Sequence, residues 1–147
     1  MERKLSTIFA SDVVGFSKMM GKNEEKTLQI LGERRQVIDN VITEHNGTVF
    51  GGAGDSVIAE FVSPVKAIEC ALLMQGKMKD MNENIPEDDQ MIFRIGINIG
   101  DVMVSKGNLF GDAVNVAARL ESAAQPSGIC ISKQVFDLIN QKLQVSF

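Results

Sequence analysis

Residues 92–104 read IFRIGINIGDVMV, and Phe93, Ile95, Ile97 and Ile99 fall on every second position. Alternation of this length marks a strand with one face in a core. Such a face must be covered by helices or by a second sheet. The rest of the chain supplies the covering elements. Lys4 to Val13 reads as strand 1, followed by a short turn or helix from Gly15 to Met20. Asn23 can cap a long helix, Glu24 to Glu44, with acids in its first turn and Leu28, Leu31, Ile38, Val41 and Ile42 as its apolar stripe. Thr48 to Phe50 and SVIAEF (56–61) form a hairpin across the tight turn GGAGD. Ser63 caps the next helix with Pro64 at its first position and Val65, Ile68, Leu72, Met78 and Met81 as its stripe. NENIPEDDQ (82–90) is a polar loop. A helix starts at about Gly111 within LFGDAVNVAARLES, GICIS (128–132) is a short strand, and KQVFDLINQ (133–141) is a closing helix. The order β, αα, ββ, α, ββ, α, β, α predicts an α+β fold. It is a ferredoxin-like βαββαβ core with extensions, built on a mainly antiparallel sheet with helices on one face. Strand 1 then lies centrally beside strand 3, and the open face is left for a partner or substrate.

A chain of 147 residues, 44% hydrophobic, suits one domain with its own core, and no repeat or linker interrupts it. The net charge of −4 argues against a broad nucleic-acid-binding surface, so an anionic ligand needs a local cation such as a metal. No apolar run approaches the ~20 residues that span a bilayer, and MERKLSTIFA lacks a signal-peptide core. Cys70 and Cys130 lack metal-ligand spacing and read as reduced core thiols, which suits the cytoplasm. His45, the one histidine, sits in a helix-to-strand turn and reads as structural.

Asp12 closes a strand-like run and is followed by two valines and Gly15. A carboxylate there costs several kcal/mol unless it is paired. Asp55 follows the glycine turn of the hairpin, and the expected topology sets the two acids side by side. Two close carboxylates repel unless a cation joins them, and Mg²⁺ favours one or two carboxylates plus substrate phosphates. The turn Val14, Gly15, Phe16, Ser17 offers backbone N–H groups to a phosphate. The plainer reading makes Asp12 a helix cap and Asp55 a turn acid. Asn115 and Arg119 stand at i and i+4 on one helix face, where an amide and a fixed cation can hold a ribose and a phosphoryl oxygen. A helix-surface arginine is more often only solvated or salt-bridged.

Together FASDVVGFS, GGAGDSVIAEF, FRIGINIGDVMV and LFGDAVNVAARLE resemble the catalytic domain of class III nucleotidyl cyclases, with the bacterial adenylate/guanylate type the nearest in flavour. The resemblance runs from about Leu5 to Leu138, with the motifs in order and at family spacing. It implies that Asp12 and Asp55 hold two Mg²⁺ (or Mn²⁺) ions, helped by the Val13 carbonyl. It further implies that Val14 to Ser17 form the phosphate loop, that Asn115 positions the ribose, and that Arg119 stabilises the transition state. The family builds each site across a head-to-tail homodimer. The implied reaction is attack of the 3′-hydroxyl of ATP, less readily GTP, on its own α-phosphorus with loss of pyrophosphate, in intracellular signalling.

The base-reading positions depart from the family. A Lys and an Asp read adenine in adenylate-selective members, and here those positions are Gly51 and Asn108. Asn108 can donate or accept, so it can meet either purine. Family domains also continue into a last β-hairpin bearing a triphosphate-contacting Lys. The chain stops at LQVSF, so the expectation is a single catalytic domain, residues 1–147, lacking that hairpin and fused to other domains in a longer protein. A second reading follows from these departures: a catalytically weak cyclase-like module that binds nucleotide or a partner cyclase and regulates it.

Overall fold

A computed structural model describes residues 2–51 and 54–143. β1 (Glu2–Val13) runs through the middle of a six-stranded sheet. It pairs antiparallel with β3 (Val57–Phe61) on one side and, along its whole length, with β4 (Phe93–Ser105) on the other. β2 (Thr48–Phe50) continues the sheet beyond β3. β5 (Asn108–Phe110) and β6 (Ile129–Ile131) share the far edge of β4, and β6 is parallel to it. With α2 (Glu24–Glu44) and α3 (Pro64–Asn82), the adjacent strands β2, β3, β1 and β4 make the expected ferredoxin-like core. α1 (Phe16–Lys22), α4 (Asp112–Ala123) and α5 (Lys133–Leu143) are the additions. Within the hairpin turn, Gly52 and Ala53 lie outside the described residues.

The alternation read in residues 92–104 sorts the sheet's faces. Phe93, Ile95 and Ile97 are fully buried and join Phe9, Val57, Ala59 and Phe61 in a core packed against α2, α3 and α5. The helix stripes differ in detail from the sequence reading. In α2, Leu28 is exposed, because the inward positions are Thr27, Leu31, Arg34, Ile38, Val41 and Ile42. Arg34 is buried yet satisfied: Nη1 donates to the Met91 carbonyl and Nη2 to Asn82 Oδ1. In α3, Leu72 is exposed, and Ala67, Ile68, Cys70, Ala71, Met74 and Met78 face inward. Burial pushes the Cys70 thiol up to about 12, as its core position requires.

One helix departs from the one-sided expectation. α1, α2, α3 and α5 share a face, but α4 crosses the other, where Ile8, Ala10, Val102, Leu109, Ala113 and Ala117 form a second core. The cause is local. Ala10 pairs with Gly96 and Ile8 with Asn98, so the positions between the buried isoleucines of β4 carry small or polar side chains. A Cβ on Gly96 would lie 2.3 Å from Glu121 N and 2.4 Å from Ala117 O. A Cβ on Gly100 would lie 2.8 Å from Ala113 Cβ. The missing side chains let the α4 backbone rest directly on β4.

Candidate active site

The C-terminal end of β1 gathers the acids. Asp12 pairs across the ladder with Arg94 and faces the α4 side of the sheet. Arg94 Nε donates to Asp12 Oδ1 at 3.3 Å and Nη2 to Oδ2 at 3.2 Å. The same guanidinium reaches Glu121 Oε2 at 3.4 Å and donates from Nη1 to the Ser122 carbonyl at 3.1 Å. These contacts are longer than the ~2.7–2.9 Å of an unshared N⁺–H···O⁻ bond, so one cation is divided among several acceptors. Asp55 Oδ2 accepts from Val13 N–H at 2.8 Å, which ties the hairpin turn to the end of β1. The structure thus sets Asp12, Val13 and Asp55 side by side, as strand order predicts.

The charges interact strongly. Desolvation, then the negative charge of Asp12 and its hydrogen bond, push Glu121 up to about 7, against the opposing pull of Arg94 and Ser122. The hydrogen bonds that Arg94 donates to Asp12 hold the guanidinium above its ordinary pKa, with the negative charges of Asp12, Glu121 and Asp55 adding to the effect. No group of three or more His, Cys, Asp or Glu side chains converges at metal-binding distance among the described residues. The donor set nonetheless fits Mg²⁺, which takes one or two carboxylates and completes its shell with waters and phosphates. Asp55 Oδ1 accepts no hydrogen bond among the described residues, and the Asp12 carboxylate already attracts a cation, Arg94.

After Val13 the chain turns through Val14, whose N–H donates to the Ile92 carbonyl, and Gly15, which caps α1 at φ 68°. That left-handed φ favours glycine. Gly15 and Ser17 are exposed, while Phe16 packs on the main core.

Asn115 and Arg119 are on the other side of α4. Ala113, Ala117 and Glu121 form its buried face, whereas Asn115 and Arg119 are exposed. Among the described residues Arg119 makes a 3.9 Å pair with Asp112, its side chain 69% exposed, a contact worth little. No contact joins either residue to Asp12 or Asp55 among the described residues. Gly51 and Asn108, by contrast, meet. They stand next to β2 and on β5, at opposite ends of the strand order, yet a Cβ on Gly51 would lie 3.0 Å from Asn108 Oδ1. The sheet curls enough to bring its edges together.

Sequence reasoning missed Arg94 and Glu121. Arg94 alternates out of phase with the isoleucines of β4, which points it at the other face. Glu121 continues the spacing of Ala113 and Ala117, which puts a carboxylate on the small-residue face of α4.

The family model described as adenylate and guanylate cyclase catalytic domain matches residues 2–147. A Rhizobium meliloti protein provisionally named adenylate cyclase 3 is 40% identical over 148 residues, covering all of this chain and 25% of that protein. The adenylate cyclase of Streptomyces coelicolor is 31% identical over 132 residues, covering 89% of this chain and 33% of its own. The chain therefore spans a third or less of the length of these relatives. Among solved structures, an adenylate/guanylate cyclase/hydrolase from Silicibacter pomeroyi superposes with a TM-score of 0.92 at 39% identity, covering 99% of this chain and 86% of that one.

Proposed function

The chain belongs to the adenylate and guanylate cyclase catalytic-domain family, and on that premise we propose that it cyclises a purine nucleoside triphosphate, ATP before GTP, at sites shared by two copies of the domain. One observation carries the shared-site reading. Asp55 is bonded to the Val13 N–H, next to Asp12 at the end of β1, while Asn115 and Arg119 project from the outer face of α4. A single chain holds both halves of the machinery but does not face them toward one another. A head-to-tail homodimer supplies each site with the acids of one chain and the α4 residues of the other.

In this reading Asp12 and Asp55, with the Val13 carbonyl, hold two Mg²⁺ or Mn²⁺ ions, which when bound acidify the 3′-hydroxyl and neutralise the phosphates. Within the Val14–Ser17 turn, Gly15 to Ser17 direct backbone N–H groups at the triphosphate, whereas the Val14 N–H is held by the Ile92 carbonyl. Asn115 orients the ribose so that its 3′-oxygen lies in line with the α-phosphorus. The 3′-hydroxyl gives up its proton to solvent, the new bond forms from its oxygen to the α-phosphorus, the bond from the α-phosphorus to the α,β-bridging oxygen breaks, and pyrophosphate leaves with that oxygen. Arg119 meets the charge that builds on the equatorial oxygens. Asn108, beside the bare backbone of Gly51, faces the base. The bareness of Gly51 also supports the second reading, a weak cyclase-like module, and that reading predicts little cyclic nucleotide from the wild-type chain with either Mg²⁺ or Mn²⁺. No helix among the described residues is long and apolar enough to cross a membrane.

Complementation tests the shared site. Asp55→Ala and Arg119→Ala should each be inactive alone. Mixed in equal amounts they should recover about 25% of wild-type turnover, because random exchange makes half the dimers mixed and one of the two sites in each is intact. No recovery, with exchange demonstrated by a tagged pull-down, means that the site lies within one chain.

A further inference from the structure

Arg94 and Glu121 have no assigned part in the reading above, although they sit against its central acid. The Arg94 guanidinium holds both oxygens of Asp12, the carboxylate on which metal binding is expected to depend. Any cation arriving at Asp12 must therefore displace or share a resident positive charge. Glu121 pulls that charge the other way. It is on the buried face of α4 with its side chain 9% exposed, and its Oε2 is 3.4 Å from Arg94 Nη2. The Ser122 carbonyl adds a second acceptor on the same helix. The seat of α4 is fixed by the absent Cβ of Gly96, with Glu121 N and Ala117 O directly above it, so Glu121 cannot drift away from Arg94 without moving the helix.

We propose that Arg94 is a built-in competitor for the divalent cation at Asp12, and that Glu121 is a positioning residue that sets metal affinity by drawing the guanidinium toward α4. This rests on the metal role of Asp12 in the proposed function. The stretched contacts, 3.2 and 3.3 Å to Asp12 and 3.4 Å to Glu121, are those of one guanidinium shared between two carboxyl groups. Asp55 contributes a third negative charge to the same field. With no nucleotide present, the balance between Asp12 and Glu121 decides how much of the Asp12 carboxylate is free for a metal.

The two residues should then act with opposite signs. Glu121→Gln keeps the shape, removes the pull, and leaves Arg94 to Asp12. Arg94→Met removes the competitor. Mn²⁺ alone, titrated into the protein without nucleotide by calorimetry, should bind about tenfold more weakly to Glu121→Gln and about tenfold more tightly to Arg94→Met, the scale of one partly buried charge interaction. The double variant separates the proposed route from a direct attraction between Glu121 and the metal. In the Arg94→Met background, Glu121→Gln should change affinity less than about twofold, because the residue through which it acts is gone. An equally large loss in both backgrounds overturns the proposal, as does unchanged affinity in both single variants. Metal-free thermal unfolding of each variant identifies any that fails to fold, and Arg94→Lys, which keeps the charge but not the fork, should restore the weaker binding lost in Arg94→Met. Asp12→Asn distinguishes the two levels of failure. If it binds Mn²⁺ as the wild type does, the metal role of Asp12 is wrong. If it loses binding while the Arg94 and Glu121 variants do not respond, only the competitor model falls.

Discussion

Gly96→Ala tests the contact on which the geometry of α4 depends. In an open strand this substitution stabilises, since glycine in a strand interior costs roughly 0.5–1 kcal/mol relative to alanine. Here the added methyl would lie 2.3 Å from Glu121 N, 2.4 Å from Ala117 O and 2.8 Å from Glu121 Cα. All three are backbone atoms of α4, so no rotamer change relieves the overlap and the helix itself must lift. Overpacking of this kind costs typically about 1–3 kcal/mol, and three backbone contacts put it at the upper end. After the strand preference is subtracted, a net loss of about 2 kcal/mol remains. For a domain of this size that lowers the melting temperature by about 4–8 °C.

The assay is thermal unfolding followed by circular dichroism in chelator, with Gly76→Ala as the control. Gly76 is on α3 with nothing within 4 Å of its would-be Cβ, so alanine there should raise stability by about 0.5–1 kcal/mol. Gly96→Ala should also lower cyclase turnover by more than its stability loss explains, because lifting α4 displaces Asn115 and Arg119. A Gly96→Ala protein as stable as the wild type refutes the close seating of α4 on β4.

Base choice and pH give further tests. Discrimination between ATP and GTP should be weak, under about 100-fold, because a site rejects strongly only when the wrong substrate leaves its buried polar groups unpaired. Gly51→Lys with Asn108→Asp should sharpen the preference for ATP in a competition assay. Glu121 gives the fold a pH dependence. Its pKa is raised from 4.5 to about 7 in the folded state, so its stabilising contribution is fully present below about pH 4.5 and is lost as pH rises through 7. Urea midpoints in chelator should fall as pH rises across that window, and Glu121→Gln should flatten the slope.

Strand order and the meeting of Asp12 with Asp55 were legible because both rest on local signals. The isoleucine alternation of residues 92–104 fixes one face of β4, and the hairpin turn fixes where Asp55 returns. The face chosen by α4 was not legible in the same way. It depends on Gly96 and Gly100 pairing in space with Ala113 and Ala117, a complementarity of absent side chains that no hydrophobic period reports. The approach of Gly51 to Asn108 was hidden for another reason: it is the accumulated twist of five strands, and no single segment encodes it. In α2, the burial of Arg34 and exposure of Leu28 invert hydrophobicity, because the Met91 carbonyl and Asn82 give the guanidinium a place to bond that the sequence does not announce.

On these proposals the two sides of α4 have separate tasks. Its inner face, Ala113, Ala117 and Glu121, is fitted to β4 and to the Arg94 that bridges to Asp12. Its outer face carries Asn115 and Arg119. Under the proposed head-to-tail pairing, the inner face borders the metal end of its own chain while the outer face serves the sister site. Under the competitor proposal, a cation bound at Asp12 would weaken the hold of Asp12 on Arg94 and leave more of the guanidinium to Glu121 and the Ser122 carbonyl, both at the C-terminal end of α4. On these two proposals, the helix that borders the metal end of its own chain is also the helix that presents Arg119 to the sister site. At Gly96 no side chain separates the helix backbone from the strand beneath. A close-packed contact of this kind transmits displacement rather than absorbing it, so a Cβ at Gly96 should disturb both faces of α4 together.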